Sequence, residues 1–220
     1  MIVDKGDLRQ FLNDYPFMAL KPTKGDSLIL KGDFQFIAKS KDGPEIRDSF
    51  DLKIEIPLGF PKKIPKVWED NNKIPRTKEG EYHINPDDSL CLGSPLRLLD
   101  KINRNGTLVS FAETCLVPFL YAVSIKLQKG GDFYMGELAH GLPGILDDYK
   151  DLFGIENNDN IIKTLELIGT KKRIANKAPC PCSCGKRLGK CKLRFVTNRL
   201  RKTASRSWFK NHAKNPAIMN

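Results

Sequence analysis

The chain has 220 residues, 40% of them apolar and 29% charged, enough for one full domain whose core needs no covalent staples plus a small appendage. Of 37 Lys and Arg, 15 lie in residues 171–220, where there is no Asp or Glu, leaving 22 against the 26 Asp and Glu of residues 1–170. A general solubility bias would spread that excess, so the tail is expected to face something anionic: nucleic acid, nucleotide or an acidic protein. No stretch approaches the roughly 18 apolar residues of a membrane span, and Met1-Ile-Val-Asp-Lys-Gly-Asp has no positive-then-apolar leader pattern. A soluble, cytoplasmic protein with no membrane partner is therefore expected.

In chain order, Lys5 to Asn13 reads as a short helix with Leu8, Phe11 and Leu12 on one side, ending before Tyr15-Pro16. Leu28, Leu30, Phe34 and Phe36 alternate with polar neighbours around Gly32-Asp33, which predicts a hairpin or a bulged strand there. Leu52, Ile54 and Ile56 alternate with Asp51, Lys53 and Glu55, the cleanest strand pattern in the chain. From Phe60 to Leu99 prolines and polar clusters break the periodicity, and mostly irregular chain is expected. Leu108, Phe111, Ala112, Cys115, Leu116, Phe119, Leu120, Val123 and Leu127 recur at helical spacing, giving a long amphipathic helix interrupted or kinked by Pro118, with Cys115 in its core stripe. Gly144–Phe153 and Ile161–Ile168 suggest two more helices. The charge change at Thr170-Lys171-Lys172-Arg173 puts the domain boundary near Gly169, with residues 1–169 as body and 170–220 as tail.

Two segments carry chemistry. The first runs from Phe60-Pro61-Lys62-Lys63-Ile64-Pro65-Lys66-Val67-Trp68 through His83-Ile84-Asn85 to Ser89-Leu90-Cys91-Leu92. Taken singly, each residue has a plain structural reading: a free cysteine is among the most buried residue types, Asn-Pro is an ordinary turn pair, and a lone histidine satisfies local hydrogen bonds. Taken in order after a strand and before a later helix, the segment resembles the ubiquitin-conjugating family. That resemblance implies an α+β fold with an antiparallel sheet flanked by helices, and a thioester formed on Cys91 with the carboxyl terminus of a protein and passed to an amine. It implies oxyanion support from Asn85 and a loop-shaping role for His83. A thiolate suits such work because it both captures and releases an acyl group well, and an amide can donate to the developing oxyanion. The sequence departs from the family in its His83-Ile84-Asn85-Pro86 order and in an asparagine-to-cysteine gap two residues shorter. Asp87 and Asp88 read as turn-surface acids that can also modulate local charge.

The second segment, Pro179-Cys180-Pro181-Cys182-Ser183-Cys184-Gly185-Lys186-Arg187-Leu188-Gly189-Lys190-Cys191, holds four of the six cysteines. A disulfide framework would be more spread out, and closely spaced thiolates in a reducing compartment favour zinc. The segment resembles the SEC-C zinc motif, which implies ligands at Cys180, Cys182 and Cys191 and a fourth just after the last cysteine, where this chain has Lys192. Lysine is no substitute for a thiolate, so Cys184 is the expected fourth ligand, with His212 as the alternative. A four-ligand zinc would be structural. Beyond it, Arg194, Arg199, Leu200, Arg201, Lys202, Arg206, Trp208, Phe209 and Lys210 read as a basic, helix-like segment with an aromatic end, suited to nucleic acid, to an acidic partner or to docking its Trp on the body.

The two segments together, with Phe133-Tyr134-Met135-Gly136-Glu137-Leu138-Ala139-His140-Gly141, resemble the stand-alone conjugating proteins of bacterial CBASS antiphage operons. This implies a cGAS/DncV-like nucleotidyltransferase as acyl donor. No adenylating domain or phosphate loop is visible in the sequence, so a separate activating enzyme is expected unless Cys91 acts on an existing acyl bond. Two other readings stay open: a conjugating fold that has lost catalysis and serves as a scaffold, and a nucleic-acid-binding protein that uses the basic zinc tail.

Overall fold

A computed structural model describes residues 3–23, 25–77, 81–134 and 141–216. They form an α+β structure with a four-stranded antiparallel sheet, helices, and a cysteine cluster near the carboxyl terminus. The chain divides into two compact units, one of residues 1–93 and 104–137, the other of 94–103 and 138–220. The change in charge at 170 and the change in packing at 138 thus fall at different places, because the basic tail packs within the second unit.

In the first unit, α1 (Lys5–Asp14) starts where the Asp4 carboxylate accepts the N–H groups of Gly6 and Asp7, a side-chain N-cap. Its Phe11 is buried. The Asp7 carboxylate accepts the Leu108 N–H at 3.0 Å, which ties α1 to the start of α3 (Leu108–Phe111). Strands β1 (Met18–Lys21), β2 (Leu28–Lys39), β3 (Glu45–Ile56) and β4 (Lys66–Glu69) follow as a meander in the order β1-β2-β3-β4. Period-2 alternation sets the buried face: Leu30, Phe34 and Phe36 from β2, then Phe50, Leu52, Ile54 and Ile56 from β3. Paired partners such as Leu30↔Ile54 and Phe34↔Phe50 meet across the strands.

Neither the hairpin nor the bulge expected at Gly32-Asp33 is there, since the register runs one-to-one through both residues. β2 runs straight through, with Gly32 opposite both Met18 and Leu52. The glycine serves the neighbouring strand instead: at its φ of +152°, an added Cβ would lie 2.1 Å from the Phe17 carbonyl oxygen.

Helix α3 passes through a π-helical turn, Ala112–Leu116, into α4 (Val117–Lys129). The wide turn sits just ahead of Pro118, which has no N–H to give the ladder. Contrary to the expectation that no such stretch exists, Leu108–Lys129 is long and apolar enough to cross a membrane, with a mean hydropathy of 1.8, but 72% of that window is buried inside the protein. Cys115 is part of this core at 2% exposure.

In the second unit, residues of α2 (Pro95–Asn105) lie within the segment expected to be irregular up to Leu99. Leu96, Leu98, Leu99 and Ile102 are buried. The Arg97 guanidinium donates to Asp148 at 2.7 and 3.0 Å and to Asp151 at 2.6 Å on α5 (Leu142–Phe153). Buried Asp100 pairs with Arg199 of α8 (Leu193–Leu200) at 3.0 Å. Helix α6 (Asn158–Gly169) presents buried Ile161, Leu165 and Ile168 and packs against α9 (Arg206–Lys214), whose Phe209 and Ala213 are buried. A short helix, α7 (Lys172–Ala175), leads from α6 to the cysteines.

Candidate functional site

Cys91 leaves the end of a small hairpin. The Cys91 N–H donates to the His83 oxygen at 2.8 Å, the Asn85 N–H to the Ser89 oxygen at 2.8 Å, and Ile84 bridges Leu90. The turn between them has Pro86 in its second position, the Asp88 N–H bonded back to the Asn85 oxygen at 2.9 Å, and Asp88 at a φ of +61°. This is the three-residue hairpin loop in which proline presets φ and the last residue turns left-handed. The hairpin is moored to β4: the Leu90 N–H donates to the Val67 oxygen at 2.7 Å, the Trp68 indole to the Asp87 oxygen at 3.0 Å, and the Lys66 ammonium to the Asp87 carboxylate at 2.7 Å.

Within the loop, the Asn85 amide donates to the Ser89 hydroxyl at 3.0 Å, and that hydroxyl donates to the Asp87 carboxylate at 2.5 Å. Asn85 therefore spends one amide hydrogen bracing the turn. His83 has a φ of +51° and meets the Phe133 ring edge-on at 4.8 Å. Asp87 is held down at about 2, first by the Lys66 ammonium and then by the Ser89 hydroxyl. Lys66, Trp68 and Ser89 belong to the motif, but sequence reasoning assigned them no role: Lys66 and Trp68 meet Asp87 some 20 residues on, and Ser89 joins Asn85 to Asp87 only once the turn has formed.

Cys91 as a residue is half-buried. Burial pushes its pKa above the ordinary value, and a hydrogen bond with the Gly93 backbone offsets part of the rise.

The four cysteines of the second unit converge. The sulfurs of Cys180, Cys182, Cys184 and Cys191 all lie within 4.8 Å of one another. The Cys180–Cys182 and Cys182–Cys191 separations are 3.2 and 3.5 Å. A disulfide requires about 2.0 Å, whereas sulfurs around one tetrahedral zinc at the usual bond length lie about 3.8 Å apart. The cluster matches the second geometry and can hold a metal ion, with a donor set that suits zinc.

Local backbone builds the knuckle. The Cys180 N–H donates to the Lys186 oxygen at 2.8 Å, Pro179 bridges Arg187, and Ser183 and Gly185 take positive φ, which turns Cys182 and Cys184 toward Cys180. On the other side, the Leu193 N–H approaches the Cys191 sulfur at 3.5 Å. The Lys186 backbone N–H pulls the Cys184 thiol down to about 7. Cys184 is thus the fourth member by position.

The alternative ligand, His212, is engaged elsewhere in the same unit: its Nε2 lies 2.7 Å from the Tyr149 hydroxyl and its ring stacks on Trp208 at 4.4 Å. Lys192 is exposed at the start of α8. Of the segment Phe133–Gly141, Phe133 and Tyr134 face His83 and Tyr121, while Met135–His140 lie outside the described residues. No family model, curated protein or solved structure matches this chain.

Proposed function

We propose that this chain is an acyl carrier of the ubiquitin-conjugating type, with a ubiquitin-conjugating-like fold in its first unit and Cys91 as the nucleophile. The observation that carries the reading is the mooring of Cys91. Half-buried Cys91 leaves a hairpin held to β4, the last strand of the antiparallel meander, by the Lys66–Asp87 pair and the Trp68 indole. That is a rigid platform for a nucleophile, which is what transfer between two macromolecules requires.

The Cys91 sulfur attacks an activated carbonyl as its proton leaves to a base, the leaving group departs, and a thioester remains. An amine then attacks the same carbon; a C–N bond forms, the C–S bond breaks, and the sulfur regains a proton. The acyl donor is the carboxyl terminus of a cGAS/DncV-like nucleotidyltransferase in an antiphage CBASS setting, activated by a separate enzyme. Asn85 has a second amide hydrogen with which to meet the oxyanion, and His83 shapes the loop. Zinc on Cys180, Cys182, Cys184 and Cys191 serves the architecture of the second unit, because four thiolates leave no open coordination position.

The test is co-expression with the operon's nucleotidyltransferase and activating enzyme, followed by non-reducing gels and intact mass. A thiol-labile adduct in the wild type and its absence in Cys91→Ser are expected. Copurification without any adduct would replace this reading with the scaffold one, which the raised thiol pKa and the engaged Asn85 amide favour.

A further inference from the structure

The second unit has an open groove of about 670 Å³ between the end of α6 and the start of α9. Lys171, Arg206 and Lys210 line it, with the hydroxyl residues Thr170, Ser205 and Ser207, and no Asp or Glu does. Ser205, Arg206 and Ser207 are the N-cap and first residues of α9, so the positive end of that helix dipole lies at the groove with the cations. Residues 171–220 themselves contain no Asp or Glu.

On α8 a different feature stands out. Phe195 is 63% exposed, the most exposed of the large apolar side chains among the described residues, and the Arg194 guanidinium lies over its ring at 4.7 Å. Lys192 falls three residues before it on the same helical face, while Arg199, four residues after it, is already paired with Asp100. An acidic protein partner would need only the charges. A solvent-facing aromatic set among cations is what a nucleobase uses, since every base has a face to stack while its phosphates meet the basic groups.

We infer that the second unit binds single-stranded nucleic acid, its phosphates held by Lys171, Arg206 and Lys210 and a base stacked on Phe195. This does not depend on acyl transfer at Cys91.

Fluorescence anisotropy of a labelled 20-nucleotide oligo-dT with the full, zinc-loaded chain, titrated at several KCl concentrations, reads it directly. Log affinity should fall linearly with log salt, and the triple variant Lys171→Gln, Arg206→Gln, Lys210→Gln should flatten that slope by about 2, at roughly 0.7 per lost phosphate contact on a single strand. Phe195→Ala should leave the slope unchanged and weaken binding on the order of ten-fold. These side chains are exposed, and circular dichroism with zinc content checks that each variant folds. Absence of binding at 50 mM KCl overturns the inference. So does polyglutamate competing as well as unlabelled oligo-dT, or a Phe195→Ala variant that binds like the wild type.

Discussion

The thiol of Cys91 sits under two opposing influences, burial that favours S–H and the Gly93 backbone that favours the thiolate, and burial is the larger. Alkylation of Cys91 by iodoacetamide, followed by peptide mass over pH 6.5–10.5, should therefore reach half-maximum above the value of about 8.5 for a free cysteine. A midpoint at or below 8.5 would remove the basis for calling the thiol protected. Asp87 shows the opposite sign. Its pKa is lowered to about 2 from 3.8 by Lys66 and Ser89, so its contribution to stability is complete above the unfolded value and fades as pH falls toward 2. The pair is about half exposed, which limits Asp87→Asn to about 0.5–1 kcal/mol at pH 7. Urea unfolding of the two proteins should show that gap closing between pH 5 and the lowest pH at which both still fold.

At the scale of elements, two substitutions separate local from borrowed structure. Gly32→Ala places a Cβ against the Phe17 carbonyl and strains a positive φ, so β1 and β2 must part, at a cost of about 2–4 kcal/mol. Thermal unfolding reads the loss, and an unchanged Tm would mean the close approach is not needed. For the knuckle, metal analysis of the purified chain should give one zinc per protein in the wild type and in His212→Gln, and much less in Cys184→Ser. His212→Gln should still cost about 1–3 kcal/mol, because it leaves the buried Tyr149 hydroxyl with one partner fewer. Zinc retained by Cys184→Ser and lost by His212→Gln would reverse the assignment.

At the scale of the whole molecule, the tail is part of a core. Phe209, Ala213 and Leu200 are buried in the second unit, and α9 lies along α6, where a Cβ on Gly169 would come within 2.9 Å of the Lys210 side chain. Ending the chain at residue 169 would strip the cover from Ile161, Leu165 and Ile168. The fragment 1–169 should therefore bind a hydrophobic dye or aggregate on size-exclusion chromatography, where the full chain does neither. A monodisperse, dye-silent fragment would mean that the charge boundary is also a folding boundary.

What could be read from the chain alone was local. The alternation of Leu52, Ile54 and Ile56, the helical spacing from Leu108 to Leu127, the start of α1 at Lys5 and the crowding of four cysteines each reside in one short stretch, and each has its structural counterpart. What only the tertiary structure decided was non-local. Gly32 signals a hairpin or a bulge until the Phe17 backbone is seen beside it, the first residues of α2 look irregular until Asp148 holds Arg97, and His212 competes as a ligand until Tyr149 claims it. In each case the deciding partner lies outside the window over which a pattern can be read, so burial and pairing, not propensity, settled the outcome.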